Sequence, residues 1–168
     1  YTGRRALTIH KRIYRTEVSE TGGQHFVPAE NKRRNTVFVV DEASMIGGAD
    51  HVGGRGNLLD DLFQFVYSGR GCKLILIGDD AQLPPVGSAY SPALDLKYLR
   101  GRYAVAGAMT TLTDVTRQEL DSGILTLATD IRNGLFAKTV TEHLPFAEPP
   151  AADVETLSGY DLQDRLEE

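Results

Sequence analysis

Three groups of residues carry side chains suited to chemistry. Asp41 and Glu42 stand together after the apolar run Val37-Phe38-Val39-Val40. The stretch Gly78-Asp79-Asp80-Ala81-Gln82-Leu83-Pro84-Pro85-Val86-Gly87 follows a second apolar run, Lys73-Leu74-Ile75-Leu76-Ile77. Arg117 and Gln118 close the segment that starts at Leu112. Adjacent carboxylates can divide labour: one holds a divalent ion while its neighbour orients or deprotonates a water, as nucleotide hydrolysis beside Mg2+-bound phosphates requires. Gln82 is both donor and acceptor, so it can contact a phosphate oxygen and a water together. Arg117 falls at an expected strand-to-helix junction, where a planar guanidinium can stabilise charge on a phosphoryl group. Structural readings compete with each. Asp41-Glu42 suits an acidic surface turn, and Arg117 suits a salt bridge with Asp79 or Asp114.

The elements that must position these residues are visible in the apolar pattern. Each short apolar run predicts a strand buried on both faces, as in a parallel sheet. Asn57 predicts the cap of an intervening helix with Leu58, Leu59, Leu62, Phe63 and Val66 inward and Gly69 and Gly71 at its end. Strand, helix and strand make a right-handed βαβ unit the natural topology. The Gly78–Gly87 loop then lies beside Asp41 and Glu42, at the carboxyl strand ends where open α/β sheets bind ligands. Pro84 and Pro85 stiffen that loop. Further along, a short helix is expected over Pro92–Leu99 and a strand within Tyr103–Leu112. A helix is expected from Asp121 or Ser122 to Gly134, carrying Ile124, Leu127, Ala128 and Ile131.

Upstream, Thr8 is placed to cap a short helix with Ile9 and Ile13 inward. His10 and Lys11 would sit at its amino end, where an anion could bind, although a lone histidine is more often structural. Arg15 to Val27 predicts a short polar hairpin turning at Glu20-Thr21-Gly22-Gly23 and projecting from the body, with Pro28 at its end. The glycine-dense segment 47–56 invites a phosphate-loop reading, which fails because no Gly-Lys-Ser/Thr follows it. A surface loop fits better, and His51 beside Asp50 lacks further ligands at a metal-binding spacing.

The chain has 168 residues, enough for one domain with a sizeable core. No apolar run approaches membrane-spanning length, so no membrane partner is expected. Cys72, the one cysteine, reads as a small packing residue, and nothing resembles a signal peptide, which fits a cytoplasmic protein. The formal charge of −5 hides an uneven distribution. Basic residues crowd the start (Arg4, Arg5, Lys11, Arg12, Arg15, Lys32, Arg33, Arg34), and an acidic tail follows. A local basic track can serve a phosphate backbone, although a solvated charged face is the plainer reading.

Taken together, Thr8-Ile9-His10, Asp41-Glu42-Ala43-Ser44, the Gly78–Gly87 loop and Leu112 through Arg117-Gln118 resemble, in order, the motifs of RecD-like superfamily 1 DNA helicases. The likeness spans roughly Gly3 to Gly134, and the Gln82-Leu83-Pro84-Pro85 loop is its most specific part. It implies a three-layer RecA-like P-loop NTPase fold, α/β with a mostly parallel central sheet, incomplete here, plus a small projecting hairpin. Residues 1–134 would form part of a first motor domain, with 15–27 as a pin-like hairpin. Residues 135–168 would be an acidic linker toward a second motor domain. By the same resemblance the cofactors are ATP and Mg2+. Asp41 would hold the metal, Glu42 would activate water, and Gln82 would sense the γ-phosphate. Arg117 would reach that phosphate, with Gln118 beside it at the nucleotide. Thr8, His10, Lys11, Phe26, Pro84 and Pro85 would face DNA, with Phe26 or His25 stacking on a base. Implied partners are single-stranded DNA or a single/double-strand junction, and a nuclease or repair complex. The implied activity is ATP-driven translocation, 5′ to 3′, in recombination or repair.

One departure stands out. No Gly-x-x-x-x-Gly-Lys-Ser/Thr loop occurs in the chain. The expectation is that it lies upstream of Tyr1 and that these residues alone neither hydrolyse ATP efficiently nor unwind DNA. Removal of a parallel strand would also expose a sheet edge. The rival readings are a noncatalytic nucleic-acid-binding domain derived from a helicase, and another kind of P-loop ATPase.

Overall fold

The computed structural model describes residues 3, 5–19, 22–48, 57–113 and 123–137, the last three by their backbone. The chain divides into two compact units, Tyr1–Met109 and Thr110–Glu168. The first unit contains α1 (Ile9–Ile13), β1 (Tyr14–Val18), β2 (Gln24–Pro28), β3 (Val37–Val40), α2 (Leu58–Ser68), β4 (Lys73–Leu76) and α3 (Leu96–Tyr103). The second contains α4 (Gly123–Ala137).

The hairpin and the parallel pair form separate two-stranded sheets. β1 and β2 run antiparallel, with Tyr14 opposite Pro28 and Thr16 opposite Phe26. β3 and β4 run parallel in register, from Val37 opposite Lys73 to Val40 opposite Leu76, and α2 makes the crossover between them. This is a mixed α/β architecture with a small parallel sheet and a separate hairpin, consistent with the partial P-loop NTPase fold expected from the sequence.

The core lies between α2 and one face of the parallel pair. Leu58, Leu59, Leu62, Phe63, Phe65 and Val66 of α2 are buried, and the Phe65 ring meets Phe38 edge-on at 5.7 Å. Full burial of a Leu or Phe side chain contributes about 1.5–3 kcal/mol, so this helix face supplies much of the stability. The opposite face of the strands departs from the expectation of burial on both sides. Val37, Val39, Ile75 and Ile77 remain 48–60% exposed. An apolar run reports β-propensity along the chain; what covers each face is decided by other elements.

Both ends of α2 are tied to distant chain. At its start, the Asn57 side chain accepts from Asp60 N–H at 2.7 Å and donates to the Gly48 carbonyl at 2.9 Å. At its end, buried Asn31 donates from Nδ2 to the Phe65 and Val66 carbonyls, at 3.0 and 3.2 Å. These are carbonyls a helix end leaves without intrahelical partners. The fit requires Gly69, where a Cβ would meet Asn31 Nδ2 at 2.4 Å and Cys72 Sγ at 2.7 Å. Cys72 is buried, as expected of a packing residue.

The α2 carboxylates anchor two neighbours. Asp61 accepts from the Tyr14 hydroxyl. Asp60 accepts from Tyr103 Oη at 2.7 Å and from Arg102 Nη2 at 2.8 Å. The Tyr103 ring stacks on Phe63 with centroids 3.9 Å apart. Arg102 bonded to Asp60 holds that carboxyl below the usual aspartate range. Burial, with Asp61 alongside, pushes the Tyr14 phenol above its usual range.

Three further expectations change. The helix expected over Pro92–Leu99 is two pieces, a 3-10 turn (Pro92–Leu94) and α3, because Asp95 caps α3 with bonds from Lys97 and Tyr98 N–H. The strand expected within Tyr103–Leu112 is absent. Tyr103 ends α3, Ala104 is left-handed (φ 51°), and residues 104–113 join no ladder. Gly134 does not close α4, which continues to Ala137. A glycine within a helix costs about 1 kcal/mol, which is not enough to stop it. The glycine-rich segment from residue 49 through Gly56, with Asp50 and His51, lies outside the described residues. So do Arg117, Gln118 and the acidic tail from residue 138.

Two outcomes follow from these anchors. Asn31→Ala removes one donor from each of these carbonyls, which keep their bonds from Ser68 Oγ and Gly69 N–H, and should destabilise the fold by about 0.5–1.5 kcal/mol per lost bond in urea unfolding. Asp60 has a depressed folded pKa, so its contribution is present above the ordinary aspartate value of about 3.9 and is lost as pH falls through the lower folded value. Asp60→Asn should therefore flatten the acid limb of the urea midpoint against pH.

Candidate functional site at the strand ends

The parallel ladder continues one residue past β4, and there it divides. Ile77 N–H donates to the Val40 carbonyl at 2.9 Å, while Ala43 N–H donates to the Ile77 carbonyl at 2.8 Å. Asp41 and Glu42 lie between the two points of attachment and leave the ladder. Both are exposed. Glu42 takes a left-handed conformation (φ 54°, ψ 39°) ahead of the 3-10 turn Ala43–Met45, and its N–H donates to Asp41 Oδ1 at 3.0 Å. A non-glycine residue held left-handed costs roughly 1–2 kcal/mol. That strain sits on the carboxylate expected to activate water, a common place for it.

The Gly78–Gly87 loop passes tightly over this turn. A Cβ at Gly78 would lie 2.7 Å from Ser44 N and 3.1 Å from Leu94 Cδ2, so glycine is required by close approach. Asp79 then shapes the loop: Oδ1 accepts from Ala81 N–H at 3.0 Å, and Gln82 N–H donates to the Asp79 carbonyl at 3.1 Å. The Gln82 side-chain amide is 3.4 Å from Asp79 Oδ2, a long and weak contact. Glu42, Ser44, Met45, Ala81, Gln82, Leu83 and Pro84 line one open cleft. The structure thus brings Glu42 and Gln82 to one cavity, with Asp41 adjacent to Glu42 in the chain.

Two serines escaped the sequence reading. Ser91 is buried, and its Oγ lies 2.8 Å from the Ala43 carbonyl and 2.7 Å from that of Ile46, bracing the turn after Glu42. Its only local signal is that of a cap before Pro92. Ser44 is 3% exposed, and its Oγ has no hydrogen-bond partner among the described residues. A buried hydroxyl left so costs about 1–3 kcal/mol. Its signal was its place in Asp41-Glu42-Ala43-Ser44.

The remaining candidates lie elsewhere or on differing surfaces. Pro84 is exposed and Pro85 is buried. Thr8, His10 and Lys11 belong to α1 and its cap, where Thr8 Oγ1 accepts from Lys11 N–H at 3.3 Å. Phe26 is 57% exposed on β2. His25 points to the other hairpin face, 4.0 Å from Glu17, which also pairs with Arg15 at 2.9 Å. Among the described residues no group of three or more His, Cys, Asp or Glu side chains is arranged to hold a metal ion. An exposed single carboxylate such as Asp41 suits Mg2+ that keeps most of its ligands as water and phosphate. Among the described residues no helix is long and apolar enough to cross a membrane.

The left-handed geometry at residue 42 has a direct test that does not involve activity. Glu42→Gly should be more stable than Glu42→Ala by about 1 kcal/mol in urea unfolding, since only glycine adopts that conformation without steric cost.

Comparison with known proteins adds the lineage. The family model described as an AAA domain matches residues 1–144. The ATP-dependent DNA helicase Pif1 of Bdellovibrio bacteriovorus is 29% identical over 110 residues, covering 63% of this chain and 24% of that protein. The chain thus spans about a quarter of the length of that relative. No solved structure matches. The family match runs across the hairpin, both parallel strands and the carboxylate pair at their ends, and on it the chain belongs to the AAA domain family.

Proposed function

We propose that this chain is part of the first RecA-like motor domain of a RecD-like superfamily 1 helicase. It would contribute the water-activating side of an ATP site coupled to single-stranded DNA. The observation that carries the reading is the shared cleft of Glu42 and Gln82 at the carboxyl ends of adjacent parallel strands. The similarity to a DNA helicase supports the choice of substrate.

In this reading Glu42 accepts a proton from the attacking water and holds it in line. Its left-handed backbone lies where the chain has left the strand ladder. Asp41 holds Mg2+, which when bound neutralises charge on the phosphates. Gln82 contacts the terminal phosphate, and its weak bond to Asp79 leaves it free to exchange partners. Arg117, with Gln118 beside it, is assigned to the same phosphate. Thr8, His10, Lys11 and Phe26 contact DNA with Pro84, and Pro85 stiffens the loop that links the two functions. Recognition is by backbone charge and base stacking, with little sequence preference. Translocation 5′ to 3′ in recombination or repair is the proposed context.

The test is Glu42→Gln in the intact protein, assayed for DNA-stimulated ATP hydrolysis. Loss of a general base should lower turnover by about 100-fold or more, with single-stranded DNA binding retained. Undiminished turnover would remove Glu42 from the chemistry.

A further inference from the structure

The root of the hairpin contains an arrangement the proposed function does not by itself require. Tyr14 is the first residue of β1 and is 9% exposed. Its ring lies between two side chains on different elements. The His10 ring of α1 is 5.7 Å from it and the Phe26 ring of β2 is 6.3 Å from it, tilted by 42° and 49°. The pairing explains the second contact. Thr16 faces Phe26, so Tyr14 and Phe26 are diagonal neighbours on one face of the hairpin. His10 and Phe26 are both exposed, while Tyr14 behind them is not.

Tyr14 is in turn fixed from below. Its hydroxyl donates to Asp61 of α2 across 47 positions of sequence. Next to it, Ala29 N–H donates to the Ile13 carbonyl at 2.7 Å, closing the hairpin onto α1. Only one end of the tyrosine is therefore committed to the body of the protein. The other end supports two exposed rings, with Lys11 and Arg12 exposed on the same short helix.

We propose that Tyr14 is a positioning residue that, held by Asp61, fixes His10 and Phe26 as one stacking surface for the bases of single-stranded DNA. The occupant follows from the chemistry. Exposed aromatic faces beside exposed cations suit a strand with accessible bases and a charged backbone. A duplex hides its base faces, and a hydrophobic peptide does not call for the cations. The inference rests on the DNA-binding reading above and deepens it, because it assigns the hairpin and α1 to a single contact governed by a buried phenol.

The experiment uses the intact protein and an oligothymidylate carrying one 2-aminopurine, whose fluorescence reports base stacking, titrated at two salt concentrations. Wild-type protein should bind with a salt-dependent affinity and change the fluorescence. Tyr14→Phe keeps the ring and loses only the bond to Asp61. It should weaken binding about 5-fold, equal to roughly 1 kcal/mol, and reduce the fluorescence change. Asp61→Asn in the Tyr14 protein, whose amide oxygen still accepts from the phenol, should retain most of the wild-type affinity and fluorescence change. Tyr14→Phe added to the His10→Ala, Phe26→Ala pair should lose little beyond that pair alone, because the tyrosine acts through the two rings. If Tyr14→Phe alters folding by circular dichroism, Asp61→Ala breaks the same bond from the other side and takes its place in the cycle. Additive losses, or wild-type binding and fluorescence in the variant that lacks the bond, would overturn the inference. Failure of wild-type protein to bind the oligonucleotide would instead overturn the DNA-binding reading beneath it.

Discussion

The backbone of Ile77 holds the candidate site together. Its N–H and carbonyl face Val40 and Ala43, so the chain between them must leave the sheet. Two residues are too few for a relaxed detour, and Glu42 closes it in a left-handed conformation. Other features serve this kink. Gly78 lets the next loop approach the Ser44 backbone, and Ser91 braces the carbonyls of Ala43 and Ile46. A single ladder hydrogen bond contributes about 0.5–1.5 kcal/mol net, comparable with the cost of one left-handed residue. The strain at Glu42 is therefore sustained by several contacts acting together.

Helix α2 gives the rest of the first unit a common reference. Its apolar face packs on the strands that carry the site, and its polar ends hold other elements. Asp60 and Asp61 sit in the first turn, where negative charge suits the helix dipole. The same carboxylates bind Arg102, Tyr103 and Tyr14, while Asn31 covers the opposite end. Hairpin, α3 and parallel strands are all registered against one rigid rod. A nucleotide site on the strand ends and a strand-binding surface at the hairpin root would share that reference.

Much of this was legible because the signals are local. The apolar run Val37–Val40 matched β3, and Asn57 with its apolar periodicity located α2 and all but one of its buried residues. The placement of Asp41, Glu42 and the Gln82 loop at neighbouring strand ends followed from strand, helix and strand alone. The hairpin followed from polar arms around a glycine turn. The strand within Tyr103–Leu112 was misread because β-propensity does not create a ladder partner. The end of α4 was misread because one glycine is a weak stop.

Sequence alone determined which residues could do chemistry and which elements would carry them, because periodicity, caps and turns act across a few neighbouring positions. Tertiary structure decided how those residues are held. The bonds from Asn31 to Phe65, Tyr14 to Asp61 and Ser91 to Ala43 span 34, 47 and 48 positions. Each joins groups far apart in the chain that meet only once their elements have packed. The left-handed turn at Glu42 and the exposed second face of β3 and β4 have the same origin. Backbone hydrogen bonding at Ile77 imposed the first, and the packing of α2 on only one face of the pair produced the second, and neither constraint is contained in the residues it acts upon.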